Sequence, residues 1–227
     1  MVKTADAQSL AANVYARLRT AIMGGRYGSG ARLLPSELAK EYDVSPTVVR
    51  EALMRLAEQR LAVATPNRGF HVVNMTLVDM HDLVETRLIN EVAALRLSVE
   101  LGDVAWEAAV IAAYHEMAAY ELDSEVWFDR HRAFHVALLT GCGNARLLSL
   151  CQDLIEVGDL YLRWSRQLAT GTPVNVDWAE RVLPGEHNAI MDAALARDAD
   201  LAAAQYQAHV RRTETLAARA IANARGE

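Results

Sequence analysis

Four of the seven histidines have a spacing that could bring them together around a metal ion. His131 and His135 are four residues apart, so on a helix their rings lie on the same face. His187 and His209 each lie 11 residues from Asp198, where a break between two helices is predicted. In an antiparallel helix pair that turns there, both rings lie at the same height, roughly 16 Å from the turn. Four imidazoles from three helices suit Zn²⁺ or Ni²⁺. The alternative is a set of hydrogen-bonded core histidines.

The segment from His131 to His135 does not indicate an enzyme, although its spacing matches that of zinc hydrolases. In the His-Glu-x-x-His motif of those enzymes the glutamate is the general base, and Arg132 takes its place here. The chain also lacks a Gly-x-Ser-x-Gly elbow and a phosphate-binding glycine loop. We therefore predict a protein that is not an enzyme, with a metal-dependent hydrolase as the disfavoured alternative.

The composition indicates a helical protein of ordinary size. The chain has 227 residues and a mass of 25.0 kDa, and it is 52% hydrophobic but only 6% aromatic. No uncharged apolar run reaches about 18 residues, and no signal-peptide pattern is evident. Cys142 and Cys151 are too few for a disulfide framework. We expect a cytoplasmic protein that does not enter a membrane.

Charge is divided unevenly along the chain. Residues 1–75 carry ten Lys/Arg and six Asp/Glu, a balance of +4. The remaining residues carry 13 and 23 of these groups, a balance of −10. A basic segment joined to an acidic one suggests that only the first part meets a polyanion.

Residues 1–75 are predicted to form a winged helix-turn-helix domain. Ser45 and Pro46 suit the cap and the first position of a helix, and a turn at 66–69 separates two short apolar runs. The predicted elements are three helices and a β-hairpin, at residues 8–23, 35–42, 46–60, 61–65 and 70–73.

Residues 76–227 are predicted to form an α-helical bundle. Thr76 and Asp79 have the spacing of a capping box, so a new helix is expected there, and Pro184-Gly185 is expected to kink or split a later one. The predicted helices lie near 76–100, 103–121, 124–140, 144–169, 177–197 and 199–223. The predicted fold class is therefore mainly α, with a winged helix-turn-helix followed by an all-helical bundle.

The third predicted helix carries the candidate residues for reading DNA. Its first turns expose Pro46, Thr47 and Arg50, the positions from which a recognition helix touches base edges. Arg68, next to Gly69 at the hairpin tip, could enter a minor groove. The alternative for each single residue is an ordinary solvated surface position.

A set of short motifs runs through residues 31–73: Pro35-Ser-Glu-Leu38, Val44-Ser45, Val49-Arg-Glu-Ala-Leu53, Arg55-Leu56 and Pro66-Asn-Arg-Gly69. In these motifs the segment resembles the GntR-type winged-helix domain of bacterial repressors. The helical remainder resembles the FCD ligand-binding domain of the FadR-like branch of that family. The resemblance implies a homodimeric transcription regulator, acting as a repressor, that binds a palindromic operator. It also implies release of the operator when a small molecule occupies the second domain.

Two residues depart from the family pattern at positions that contact DNA in the family. Ser36 and Pro46 stand where family members commonly carry arginine. Losing two guanidinium groups removes up to two bidentate contacts, each worth roughly 1–3 kcal/mol when specific. The resemblance then implies either a different operator or weaker binding that relies on Arg32, Thr47, Arg50 and the hairpin. The full set of candidate DNA-binding residues is Arg32, Ser36, Ser45, Pro46, Thr47, Arg50, Arg68 and Gly69.

The resemblance also bears on the histidines, because one branch of the FCD domain holds a metal with one aspartate and three histidines. His135, His187 and His209 match the three histidines by motif, and the aspartate position falls on His131. An imidazole in place of a carboxylate softens the site and favours Zn²⁺, Ni²⁺ or Cu²⁺ over Mn²⁺. Asp129 is not expected to substitute, since its offset from His135 turns it off that face.

The effector implied by the resemblance is a small organic or sugar acid that bridges the metal and Arg87. Arg87 and Glu91 match the family's Arg-x-x-x-Glu pattern, and an inward-facing arginine suits a carboxylate. The alternative is an internal ion pair between the two. Asn144, in the family's Gly-Asn motif, and Arg163 are further effector candidates, and Asn144 alternatively only caps the next helix. A metal-free sensor of an acyl or other apolar ligand stays open as an alternative function.

Overall fold

Before Thr76 the chain combines helices with three short strands, and after it the elements that the structure describes are all helices. The computed structural model describes residues 2–59, 61–65, 69–121, 124–169 and 185–225. The chain separates into two compact units, Met1–Thr76 and Leu77–Glu227. The mainly α fold class predicted from the sequence is confirmed.

The first unit contains three helices and a three-stranded antiparallel sheet in the order β1-β3-β2. Strand β3 pairs Gly69 with Thr65 of β2, and it pairs His71 with Arg32 of β1. Strand β1 was not predicted, because two residues are too short to show an alternating pattern. The elements are α1 (Val2–Met23), β1 (Arg32–Leu33), α2 (Pro35–Tyr42), α3 (Pro46–Glu58), β2 (Ala62–Thr65) and β3 (Gly69–Val72).

The turn between α2 and α3 follows from its residues. Asp43 ends α2 in the left-handed conformation with φ 53°, which aspartate tolerates better than most residues. Ser45 then caps α3 by accepting a hydrogen bond from the Val48 backbone N–H at 3.4 Å, and Pro46 takes the first helical position. Helix α3 packs against α1 through buried residues of both helices, namely Val14, Leu18, Ile22, Val49, Leu53 and Leu56.

The second unit is a bundle of long helices. Its elements are α4 (Leu77–Leu101), α5 (Val104–Ala118), α6 (Glu125–Leu139), a 3₁₀ turn (Thr140–Cys142), α7 (Ala145–Ala169), α8 (Gly185–Leu195) and α9 (Ala199–Arg225). Helix α4 packs against α7 and α9, and α8 packs against α9 and α5. The predicted fifth helix is described only from Gly185 onward, so its start at 177 and the expected kink at Pro184 lie outside the described residues.

A buried apolar core holds the second unit together. Leu95, Val110, Phe134, Leu138 and Tyr206 are all fully buried in it. Within the described ranges, no helix combines the length and the apolar character that crossing a bilayer requires.

Candidate metal and ligand site

The structure brings the four predicted histidines together inside the second unit. His131 and His135 come from α6, His187 comes from α8 and His209 comes from α9. One ligand nitrogen from each lies within 4.8 Å of the others, and all four residues are buried. The Nε2 atoms of His131 and His135 are 3.1 Å apart. A tetrahedral zinc with Zn–N bonds of about 2.0–2.1 Å places its ligand nitrogens about 3.3 Å apart.

Local sequence explains how the helices present these rings. The four-residue offset on α6 stacks His131 and His135 on one face. Between α8 and α9, Arg197 adopts the left-handed conformation with φ 60°, and Asp198 caps α9 by accepting from the Leu201 backbone N–H at 2.9 Å. This tight turn makes α8 and α9 antiparallel neighbours, and it leaves the rings of the histidines that flank it with centroids 4.5 Å apart.

Two of the histidines have a polar group behind the ring, on the side away from the cluster. The Nδ1 atom of His135 lies 3.3 Å from the hydroxyl of Tyr206. The Nδ1 atom of His209 lies 3.0 Å from a carboxylate oxygen of Glu186. Metal-bound histidines almost always donate their second ring N–H to such a group, which fixes the tautomer and directs the other nitrogen at the metal.

The other two histidines fit the same site in different ways. His131 stacks on Trp127 with ring centroids 4.7 Å apart, and its Nδ1 atom lies 3.5 Å from a carboxylate oxygen of Asp159. The Nε2 atom of His187 is buried and has no hydrogen-bond partner within the described part of the chain. A buried imidazole nitrogen without a partner is costly unless something binds it, and a metal ion would satisfy this one.

Burial sets the protonation state of three of the four histidines. It lowers the pKa of His135 and His187 well below the ordinary 6.5, and the neighbouring imidazoles add to the effect. Burial also lowers the pKa of His209, against an opposing contribution from its hydrogen bond to Glu186. The three rings are therefore neutral near pH 7, which is the form that binds metals. The donor set, its geometry and its protonation all fit a transition metal.

Arg87 lies beside the cluster and is held by Glu91. Its Nε and Nη2 atoms donate to the two carboxylate oxygens of Glu91 at 2.8 and 3.2 Å. Burial alone lowers the pKa of Arg87, but the Glu91 carboxylate outweighs it, so the net shift is upward and the guanidinium stays charged. The internal ion pair, which the sequence left as the alternative to effector binding, is present, and Arg87 also borders the same cavity as three of the histidines.

A small cavity of about 20 Å³ lies where Arg87 meets the cluster. That volume holds about one water-sized group. Gly158 borders it, and a Cβ atom at this position would lie 2.5 Å from Nη1 of Arg87, so only glycine leaves room for the guanidinium. The cavity is lined by Arg87, His131, His135, Ile155, Gly158, Asp159, Leu162, His209, Val210 and Thr213.

The two further effector candidates lie elsewhere. Asn144 is exposed and caps α7 by accepting from the Leu147 backbone N–H at 3.1 Å. Arg163 is buried with its guanidinium 4.2 Å from the Phe128 ring centroid, and it contacts the exposed carboxylate of Asp129 at 3.3 Å. Neither borders the cavity in the part of the chain that the structure describes, so the proposed effector site does not include them.

Four residues of the site were missed by sequence reasoning. Tyr206 precedes His209 by three residues on the same helical face, and Glu186 directly precedes His187. These two could have been found from that spacing. Asp159 and Gly158 come from α7, and no local pattern indicates that α7 packs against the histidines.

The candidate DNA-reading residues lie on the surface of the first unit. Ser36 on α2, Ser45 at the cap of α3, and Pro46, Thr47 and Arg50 on its first turns are exposed. Arg32 is exposed on β1, and Gly69 begins β3 with φ 81°. Arg68 lies outside the described residues.

Comparison with known families covers both units. Residues 10–72 match the family of bacterial regulatory proteins named gntR, and residues 82–212 match the FCD domain. The chain belongs to the GntR family. This GntR protein is a DNA-binding transcriptional regulator with a C-terminal FCD domain.

Individual GntR relatives agree with that assignment. The chain is 36% identical to the HTH-type transcriptional regulator BphR of Paraburkholderia xenovorans, over 92% of this chain and 85% of the relative. It is 28% identical to the transcriptional repressor GlaR of Escherichia coli, over 86% of this chain and 90% of the relative. The solved structure of E. coli McbR/YncC, at 20% identity, shares the fold with a TM-score of 0.75 over 92% of this chain and 97% of that one. The protein is a regulator and not an enzyme, as predicted, and the hydrolase alternative is set aside.

Proposed function

We propose that the protein is a metal-containing repressor that binds a palindromic operator as a homodimer and releases it when a small carboxylic acid binds. The observation that carries this proposal is the buried cluster of four histidines directly beside Arg87. A metal cation and a guanidinium on the same cavity suit one ligand class, a compact carboxylate. An acyl-chain sensor is the less supported alternative, because charged and imidazole groups line this cavity.

His131, His135, His187 and His209 would hold the metal. When bound, the ion supplies a Lewis-acidic centre that accepts a carboxylate oxygen. An all-imidazole set favours Zn²⁺ or Ni²⁺ over Mn²⁺. Zinc is the ion we propose first, with nickel second.

Arg87 would bind the effector carboxylate, and Glu91 would hold Arg87 in place. The Nε and Nη2 atoms of Arg87 already donate to Glu91, so we expect Nη1, which faces Gly158 and makes neither of these hydrogen bonds, to bind the effector. Displacing Glu91 is unfavourable, because this fully buried carboxylate would then lose its cation.

The size of the cavity supports a conformational response. A space of about 20 Å³ holds about one water-sized group, so we expect a carboxylic acid that binds there to shift the helices that border it. One of those helices is α4, and it begins directly after the DNA-binding unit. A shift of α4 therefore reaches that unit through residues 73–76 of the chain.

DNA binding is tested by fluorescence anisotropy on the DNA upstream of the protein's own gene, at several salt concentrations. We expect tighter binding than to an unrelated duplex of equal length, with a steep loss of affinity as salt rises. Arg50→Ala should weaken operator binding, whereas Arg130→Ala, an exposed arginine of the second unit paired with Glu116, should not. Equal binding to both duplexes would contradict the operator proposal.

Effector release is tested with the zinc-loaded protein on that DNA and a panel of small mono- and dicarboxylic acids. Arg87→Lys keeps a cation opposite Glu91 but loses the planar fork. It should bind the operator normally and respond at least ten-fold more weakly to the acid that releases wild type. Arg130→Lys serves as the matched control. Release of the Arg87→Lys variant at wild-type concentrations would exclude Arg87 as the effector anchor.

A further inference from the structure

Tyr206 links the histidine cluster to the Arg87–Glu91 pair, although it neither belongs to the cluster nor borders the cavity in the described part of the chain. Its side chain is fully buried. Its hydroxyl donates to the Oε2 atom of Glu91 at 2.6 Å and lies 3.3 Å from Nδ1 of His135. A continuous polar path thus runs from His135 through Tyr206 and Glu91 to Arg87.

The proton positions along this path follow from hydrogen-bonding capacity. A tyrosine hydroxyl has one proton, and an ionised carboxylate can only accept. The Tyr206 proton therefore points at Glu91, which leaves an oxygen lone pair facing His135. Nδ1 of His135 must then carry the ring proton, so Nε2, which faces His131, is left with its lone pair.

We propose that Tyr206 is a positioning residue that fixes the tautomer of His135 for metal binding and couples the metal site to the carboxylate anchor Arg87. This inference rests on the proposed metal-containing function. It gives the residues behind the metal ligands a regulatory role: a carboxylate that binds Arg87 perturbs Glu91 and, through Tyr206, His135. If a bound carboxylate changes the metal affinity by some factor, linkage requires that bound metal change the carboxylate affinity by the same factor.

The test is the Zn²⁺ affinity of the Tyr206→Phe variant of the full chain, measured by competition with a chelator. Trp127 stacks on His131, so its fluorescence reports binding. Removing the outer partner of a metal-bound histidine typically weakens metal binding by about 10- to 100-fold, and we expect a loss of that size.

The matched control is Tyr161→Phe. Tyr161 is also buried in the second unit, and its hydroxyl likewise donates to a carboxylate, that of Asp79. This variant loses the same chemical group away from the histidines, so it should lower thermal stability without changing Zn²⁺ affinity. Equal Zn²⁺ affinity in the two variants would overturn the role of Tyr206 and leave the proposed metal site standing. Failure of wild type to bind Zn²⁺ would overturn both.

A second measurement does not depend on the folding of a variant. Long-range ¹H–¹⁵N spectra of the chelator-treated wild-type protein distinguish the two neutral tautomers of a histidine. We expect His135 to carry its proton on Nδ1. A proton on Nε2 would refute the proposed hydrogen-bond order even if Tyr206→Phe proved too unstable to study.

Discussion

The identity of residue 131 determines the charge of the proposed metal site. Where the resemblance to metal-binding FCD domains implies an aspartate, this chain has His131, and a carboxylate oxygen of Asp159 lies 3.5 Å from Nδ1 of its ring. The proposed ligand set therefore carries no negative charge, and a carboxylate lies next to one of the ligands instead. Such a site has an all-nitrogen ligand set and keeps a compensating anion close by.

We predict that His131→Asp raises the affinity for Mn²⁺ relative to Ni²⁺ by at least ten-fold. A carboxylate oxygen suits Mn²⁺, whereas imidazole nitrogen suits Ni²⁺. Competition titrations with both metals measure the ratio. His131→Ala is the control, because it removes a ligand without adding an oxygen and should weaken both metals together. An unchanged ratio in His131→Asp would show that residue 131 does not contact the metal.

The buried histidines make stability depend on pH. The pKa values of His135, His187 and His209 are lowered in the folded state, so between those values and about 6.5 the unfolded chain binds more protons. We predict that the unfolding free energy of the chelator-treated protein is constant above pH 7 and falls as pH drops below about 6.5. Each of these histidines contributes a slope of up to about 1.4 kcal/mol per pH unit.

Urea unfolding at pH 7.5, 6.5 and 5.5 measures this dependence. The unfolding free energy of His187→Leu should depend less steeply on pH, because this variant lacks one histidine that takes up a proton on unfolding. Stability that stays flat down to pH 5.5 would mean that the histidines remain protonatable in the folded protein.

At the scale of single elements, two serine caps allow an effect on folding to be distinguished from an effect on DNA binding. Ser45 caps α3 in the first unit, and Ser124 caps α6 in the second by accepting from the Trp127 backbone N–H at 3.1 Å. Replacing a serine cap with alanine typically costs about 1 kcal/mol. The chain therefore contains a matched pair of cap residues, one in each unit.

We predict that Ser45→Ala weakens operator binding, because α3 carries Thr47 and Arg50 on its first turns. Ser124→Ala should leave operator affinity unchanged while destabilising the second unit by about the same amount. Anisotropy and urea unfolding of both variants provide the comparison. Equal losses of operator affinity would indicate a general folding defect instead.

The helices could be predicted from the sequence because glycine, proline and cap residues mark their ends. Ser45-Pro46 correctly predicted the start of α3, and the second-unit helices begin and end within three residues of the predicted positions wherever both ends are described. Strand β1 could not be predicted, because its two residues exist as a strand only through pairing with β3. The predicted end of α5 near 121 was too late; the helix ends at Ala118.

In the candidate site, too, the features that depend on local spacing could be predicted and those that depend on packing between helices could not. His131 and His135, and the turn between α8 and α9, depend on spacing within neighbouring elements, so their convergence could be predicted. Asp159 approaches His131 only because α6 and α7 pack together, and that contact leaves no trace in local periodicity. Tertiary packing determines which residues lie behind the histidines, and a single sequence does not reveal that packing.

At the scale of the whole molecule, the metal should stabilise one unit and not the other. All four tryptophans lie beyond residue 100, so tryptophan fluorescence follows the unfolding of the second unit alone. We predict that Zn²⁺ at 100 times its dissociation constant stabilises that unit by about 2.7 kcal/mol. A chelator should remove this gain.

Thermal unfolding monitored at the tryptophans, with and without Zn²⁺, measures this effect. The double variant His135→Ala, His187→Ala should lose the Zn²⁺-dependent increase in melting temperature. An increase that persists in the double variant would place the stabilising ion elsewhere on the chain.

The burial of the four histidines also has a consequence for time. With at most 6% of any of the four residues exposed, an ion held by rings from α6, α8 and α9 would lie in the interior of the second unit. Its exchange would be limited by how often α8 or α9 lifts away from the bundle, an opening event far slower than diffusion of the ion. Such a protein would exchange its metal slowly, so the chelator and competition experiments need time to reach equilibrium. Its metal content would then change slowly, and its rapid response would be to the organic acid.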